Sequence, residues 1–167
     1  MDRNTFEELI SSHEKDLYSF CSYLSAAMAP DLYQDTVLAA FEARAKIDPS
    51  QNPRAFLFSI AAGKWKNMRR KAARRQKLRP DPHPEDLISK DDPEAQTQDT
   101  LARESIQSAL ATLDDKFRIP LILHYFDDLS LVSIAQICNV PQGTIKSRLH
   151  KGRALMMAAL EKEGFYE

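Results

Sequence analysis

Residues 79–99, RPDPHPEDLISKDDPEAQTQD, hold four prolines and seven acids, and Leu87 and Ile88 are their only bulky apolar side chains. A stretch with so little to bury cannot offset the entropy lost on ordering it. Its prolines break helices and its like charges repel, so it reads as an extended linker. The chain is thereby divided into an N-terminal segment, residues 1–78, and a C-terminal segment, residues 100–167. At 167 residues with 43% apolar content, two small lobes can each contribute a core.

Both segments read as helical. There are only four glycines, and no run alternates apolar and polar residues between turn signals. In residues 4–29, Phe6, Leu9, Ile10, Leu17, Phe20, Cys21 and Leu24 recur at intervals of three and four, which lays one apolar stripe along a long helix. Pro30 ends that helix or opens the next, PDLYQDTVLAAFEARAKI, with Leu32, Val37, Leu38 and Phe41 expected inside and Asp31, Gln34, Asp35 and Glu42 outside. A third helix is expected from Pro53 through Leu78. Past the linker, TLARESIQSALATL places Leu101, Ile106, Ala109, Leu110 and Leu113 on one face. Asp114 is placed to cap the following helix, which contains Pro120. The expected fold is all-α: two small helical domains joined by a flexible linker.

The formal net charge of −1 hides a strong polarity. From Lys64 to Arg79 there are nine basic residues and no acid, and the linker beyond is acidic. A basic block of this kind implies an anionic partner that the net charge alone does not suggest. Cys21 and Cys138 stand apart from any CxxC or Cys/His cluster and are expected to be small buried residues, without disulfide or zinc. The N-terminus lacks a basic segment followed by an apolar run, and no stretch is apolar for membrane-spanning length, so a cytoplasmic protein without membrane insertion is expected. No nucleotide-binding loop, metal-ligand spacing or activated nucleophile is present, so neither an enzymatic activity nor a cofactor is expected.

Two motifs carry chemistry. In 134–156 a short apolar helix with Ala135 leads through Asn139 and Val140 into a second helix whose inward positions are Ile145, Leu149 and Met156. This is helix-turn-helix spacing, which makes the second lobe a helix-turn-helix domain, and Asn139 tolerates the left-handed conformation such a turn requires. Gln142, Thr144, Lys146, Ser147, Arg148, His150, Lys151 and Arg153 fall mainly on the other face, where they can meet phosphates and base edges. In AFLFSIAAGKWKNMRRKAARR, aromatic residues precede or enter the basic run. Phe56 and Ile60 are expected in the core. Trp65, between Lys64 and Lys66, is expected on the surface, where an aromatic face can stack on an unpaired base while neighbouring cations hold the backbone.

With both lobes read, the chain resembles the extracytoplasmic-function group of bacterial sigma factors. DLYQDTVLAAF is similar to that family's acidic polymerase-gripping helix, AFLFSIAAGKWKNMRRK to its promoter-melting helix, and LILHYFDDLSLVSIAQICNVPQGTIKSRLHKGRALM to its second-lobe pattern. The resemblance implies that Asp31, Gln34 and Asp35 contact core RNA polymerase. It implies that Phe56, Trp65, Lys66, Asn67, Arg69 and Arg70 engage and open the minus-ten promoter element, and that Thr144, Lys146, Ser147, Arg148 and Lys151 hold the minus-thirty-five element. It also implies control by an anti-sigma factor. Gly63 stands where the family usually has asparagine, Ser59 and Ala62 replace common basic positions, and Asn139 replaces glycine. The rival reading is a conventional helix-turn-helix regulator that binds duplex DNA without polymerase.

Overall fold

In the computed structural model, which describes residues 1–78, 98–162 and 164, the chain runs through seven α-helices, and no strand occurs among the described residues. α1 (Arg3–Leu24) starts at Asp2, whose carboxylate accepts the Thr5 amide at 2.8 Å, satisfying one of the unpaired donors of a helix start. α2 (Ala29–Glu42) carries Pro30 in its first turn, where the missing N–H leaves nothing unpaired. A 3-10 turn (Arg44–Lys46) then leads toward α3 (Pro53–Leu78), whose first turn is tied down by Asn52 Oδ1 accepting from the Ala55 amide.

α4 (Gln98–Ala111), α5 (Asp115–Tyr125), α6 (Leu131–Cys138) and α7 (Gln142–Lys162) form the second lobe. Asp114 occupies the N-cap position of α5, but its side chain makes no capping bond. Pro120 sits inside α5 and is fully buried. Ser130 caps α6 through the Ser133 amide, and Asn139 ends that helix at φ 56°, ψ 48°, the left-handed turn expected of it. The linker at 79–97 lies outside the described residues, and 98–99 already belong to α4.

Two apolar positions fall outside the core that the sequence pattern assigned them. Leu38 is 58% exposed, because the buried line of α2 is Ala29, Leu32, Thr36 and Ala40. Thr36 is tolerated there because its hydroxyl donates to the Leu32 carbonyl at 2.7 Å. Leu38 lies about half a turn off that line, on the face that carries Asp31 and Gln34. Leu101 is 48% exposed, since α4 is buried only toward its C-terminal end, at Ala109 and Leu110.

The helices share one core across both lobes. Leu17, Phe20 and Leu24 of α1, Leu32 of α2 and Phe58, Ala61 and Trp65 of α3 belong to the same buried cluster as Leu110 of α4, Ile122 of α5, Ile134 of α6 and Ile145 of α7. A smaller cluster, Phe6, Ala40, Ile47 and Leu57, closes the far end of the first lobe, with Phe41 edge-on to Phe6. Polar bonds follow the same boundary. Asn52 Nδ2 donates to Ser133 Oγ at 3.0 Å, Arg54 Nη2 to the Asp127 carbonyl at 2.8 Å, and Gln107 Nε2 to the Ser22 carbonyl at 2.9 Å.

Candidate polymerase and nucleic-acid interfaces

Three surfaces carry the residues singled out by sequence. On α2, Asp31, Gln34 and Asp35 are all exposed, on the side away from the buried Leu32 and Thr36. The exposed Leu38 and Met28 lie on the same helix or at its start, so the outward face of α2 is part acidic and part apolar. A face of that composition suits a protein partner better than a nucleic acid.

α7 presents the second surface. Ile145, Leu149 and Gly152 face inward, which turns Gln142, Lys146, Ser147, His150 and Lys151 to solvent, while Thr144 and Arg148 are half-buried at its edge. Gly152 is where α7 crosses α5 closely. A Cβ placed there would stand 3.1 Å from Leu121 Cδ1, so the absence of a side chain fixes how the recognition helix is held. Lys116 and Lys151 both lie over the Phe117 ring, at 5.0 and 5.5 Å from its centre, and extend the cationic surface onto the start of α5.

α3 presents the third. Lys66, Asn67, Arg69 and Arg70 are exposed and Phe56 is half-buried. Trp65 does not stand on this surface as expected: it is 6% exposed and belongs to the shared core. Its indole Nε1 donates to Asp115 Oδ1 at 3.0 Å, and the same oxygen accepts from Arg69 Nη1 at 2.9 Å. Arg118 Nη2 lies 3.3 Å from that oxygen as well. The guanidinium groups of Arg69 and Arg118 sit 5.6 and 5.5 Å from the indole. Flanking lysines suggested exposure, but the second lobe covers the ring and supplies the acid that α3 lacks.

Residues 9–75 match the sigma-70 region 2 family and residues 103–156 match sigma-70 region 4. The ECF RNA polymerase sigma factor EcfG of Rhodopseudomonas palustris is 31% identical over 140 residues, spanning 84% of this chain and 75% of that protein. The chain belongs to the ECF RNA polymerase sigma factors. SigC of Mycobacterium tuberculosis is 28% identical over 158 residues, 94% of this chain and 84% of that sigma factor. The sigma factor RpoE of Bartonella quintana, solved with the anti-sigma factor NepR, superposes with a TM-score of 0.81 at 24% identity, covering 94% of this chain and 97% of that one.

Within this sigma factor, sequence reading did not single out the residues that join the lobes. Arg118 is 3% exposed and donates to the Leu24 and Leu113 carbonyls at 3.2 Å each. An arginine inside the otherwise apolar FRIPLIL was the available signal, because a charge among apolar residues on a short helix needs a partner. Burial lowers its pKa, with Asp115 opposing. Asp127 is also buried, and its Oδ2 has no hydrogen-bond partner. Burial raises its carboxyl to about 7, Asp16 adds to the rise and Arg54 opposes it. Cys21 and Cys138 are free thiols. Burial raises both, Cys21 to about 12. At Cys138 the rise is opposed by Lys66 of α3 and Arg148 of α7. No helix among the described residues is long and apolar enough to cross a membrane.

Proposed function

We propose that this chain binds core RNA polymerase, directs it to a two-part promoter and opens the duplex. The observation that carries the reading is the division of exposed faces: two cationic helices, α3 and α7, lie on different lobes, and α2, packed against α3, turns an acidic, part-apolar face to solvent. In this reading residues 1–78 form the polymerase- and minus-ten-binding lobe, 79–99 the linker and 100–167 the minus-thirty-five-binding lobe. Asp31, Gln34 and Asp35 contact polymerase. Phe56, Trp65, Lys66, Asn67, Arg69 and Arg70 capture the opened minus-ten element, and Thr144, Lys146, Ser147, Arg148 and Lys151 hold the duplex at minus thirty-five.

The energetics suit a protein that works without nucleotide hydrolysis. Opening costs about 1.4 kcal/mol of stacking per step, and each captured base returns about 1–3 kcal/mol. Solved relatives of this fold, RpoE and CnrH, are bound to the anti-sigma factor NepR and to the cytosolic domain of CnrY. An anti-sigma factor of comparable kind is the proposed regulator here, with the cytoplasm as the working compartment.

The test is titration of the labelled full chain with core RNA polymerase, followed by fluorescence anisotropy at fixed salt. Saturable binding is the expected result. A folded chain that ignores polymerase yet binds duplex DNA alone is a conventional helix-turn-helix regulator.

A further inference from the structure

Gly63 lies in the middle of α3 and is exposed, and a Cβ built on it meets nothing within 4 Å. A glycine in a helix interior is destabilising relative to alanine. At Gly152 the fold supplies the reason, because Leu121 and Phe117 crowd the added carbon. Gly143 is equally open, but it stands in the first turn of α7, outside the interior where that cost applies. Gly63 has neither a close neighbour nor a positive φ. What remains for it is close approach by a group outside the chain.

The surroundings indicate which group. At intervals of three, four and seven residues, Phe56, Ser59, Ile60, Lys66, Asn67 and Arg70 share the face of α3 that Gly63 occupies, all exposed or half-buried. Helical side chains lean toward the N-terminus, so Lys66 and Asn67 lean over Gly63 while Ser59 and Ile60 lean away from it. Ser59 is held there by donating its hydroxyl to the Ala55 carbonyl at 2.9 Å. Bare backbone is thus walled on one side by an ammonium and an amide. Trp65 is buried on the opposite side of α3, which leaves Phe56, two turns away, as the aromatic of this face. An unpaired base is flat and carries its donors and acceptors along one edge, and the Asn67 amide offers a donor and an acceptor side by side to such an edge. Lys66 and Arg70 are the cations available to its flanking phosphates. A base still in the duplex has its faces covered by its neighbours in the stack and cannot lie on the helix this way.

We infer that Gly63 is the floor of a notch on α3 that takes one unpaired base of the minus-ten element flat against the helix backbone, with Asn67 on its edge, and so sets the base preference at a single promoter position. The inference rests on the proposed function and deepens it, at a position where this chain departs from the asparagine usual in the family. An added Cβ stands about 1.5 Å from its Cα. A base lifted by a comparable amount loses its register with Asn67, since a hydrogen bond holds only over about 2.7–3.2 Å.

Holoenzyme assembled from the full chain and core polymerase is offered a pre-opened duplex whose unpaired minus-ten segment is randomised, and the bound DNA is sequenced. The parent is compared with Gly63→Ala, Asn67→Ala and a control on the same helix, Gln76→Ala, which is exposed further along α3. Gly63→Ala is expected to abolish the preference at one position, to keep the others, and to weaken binding of the parent's preferred sequence about tenfold, within the contribution of one stacked base. Asn67→Ala should relax the same position, and Gln76→Ala none. An abasic site at that position should weaken the parent and leave Gly63→Ala unaffected, because the two changes remove one contact. Urea unfolding should show Gly63→Ala to be the more stable protein, so that loss of fold does not account for loss of binding. Unchanged preferences in Gly63→Ala overturn the inference, and so does a uniform loss at every position or a parent without preference in the segment. Relaxation by Gly63→Ala and Asn67→Ala at different positions overturns it as well. A Gly63→Ala protein less stable than the parent does the same, since the glycine would then have a structural reason. Failure of the unaltered chain to bind core polymerase removes the sigma-factor function and this assignment with it, whereas a holoenzyme that binds DNA with its preferences intact in Gly63→Ala removes the notch alone.

Discussion

The indole N–H of Trp65 and a carboxylate oxygen of Asp115 meet at 3.0 Å across the boundary between α3 and α5. The ring itself lies in the core that both lobes share. Trp65 therefore contributes to stability as well as to any role at DNA, and its substitutions must be chosen to separate the two.

Trp65→Ala should cost about 3–5 kcal/mol of unfolding free energy, through lost apolar burial and the cavity left behind. Trp65→Phe keeps most of the ring and gives up the indole donor, so it should cost about 1–2 kcal/mol. Urea unfolding followed by far-ultraviolet circular dichroism measures both. A Trp65→Ala protein as stable as the parent would put the ring outside the core. For promoter opening Trp65→Phe is thus the informative variant, because it should remain folded.

The buried Asp127 makes stability depend on pH in a defined direction. Its folded carboxyl titrates at about 7, against about 3.9 in an unfolded chain. The folded state therefore holds the proton more tightly. The resulting stabilisation is complete below about pH 4, falls as pH rises, and is gone once pH passes about 7. The charged and titratable groups facing it are Asp16 and Cys21 on α1 and Arg54 on α3. His13, on the same side of α1, has a pKa lowered by burial, then by Arg54. It opposes the trend as pH falls below about 6.5. Asp127→Asn should flatten the melting temperature between pH 6 and pH 8 and raise it at the upper end. A melting temperature that still falls over that interval in the variant would assign the effect to another group.

The helices were legible in sequence because their signals are local. Pro53, Ser130 and Asn139 mark boundaries by backbone chemistry that does not depend on the partner. The outward placement of Lys146, Ser147 and Lys151 followed from the inward spacing of Ile145 and Leu149. Trp65 was misplaced because its neighbours in sequence, Lys64 and Lys66, say nothing about α5, which reaches it from fifty residues away. Leu38 and Leu101 failed for the converse reason. Each is apolar, but Leu38 falls on the outward face of α2 and Leu101 on a turn of α4 that no second helix arrives to cover. Contact between the lobes is a long-range property, and the acidic linker that separates them in sequence gave no hint of it.

Two glycines should respond in opposite ways. A Cβ at Gly63 meets nothing within 4 Å, and the residue is exposed in the middle of α3. Gly63→Ala should therefore stabilise by about 0.5–1 kcal/mol through helix propensity alone. At Gly152, Leu121 and Phe117 stand within 3.5 Å of the same added carbon. Gly152→Val should push α7 off α5 and cost about 1–3 kcal/mol. Chemical denaturation of both variants tests the pair, and a stabilised Gly152→Val would mean that α5 and α7 do not hold each other at this crossing.

Asp35→Lys tests α2 as the polymerase contact. Asp35 is exposed, so reversing its charge should move stability by no more than about 0.5 kcal/mol. Affinity for core polymerase should fall roughly tenfold, with a steeper loss at low salt, if an acidic contact is reversed. Unchanged affinity would take this face out of the interface.

Arg148 decides what α7 reads. It is half-buried at the edge of the outward face, close enough to Cys138 to oppose the rise that burial gives the thiol, so its guanidinium has less freedom than that of the exposed Lys146. A constrained guanidinium suits bidentate contact with a guanine edge, whereas a mobile ammonium suits phosphate. Arg148→Ala should then lower holoenzyme affinity by about 1–3 kcal/mol on upstream sequences that carry the preferred base and relax the preference at that one position. Lys146→Ala should weaken all sequences alike and reduce the salt dependence by about one counterion. Binding measured across single-base variants of the upstream element at two salt concentrations separates the outcomes. A uniform loss for Arg148→Ala would reassign it to the backbone and leave base reading to Thr144 and Ser147.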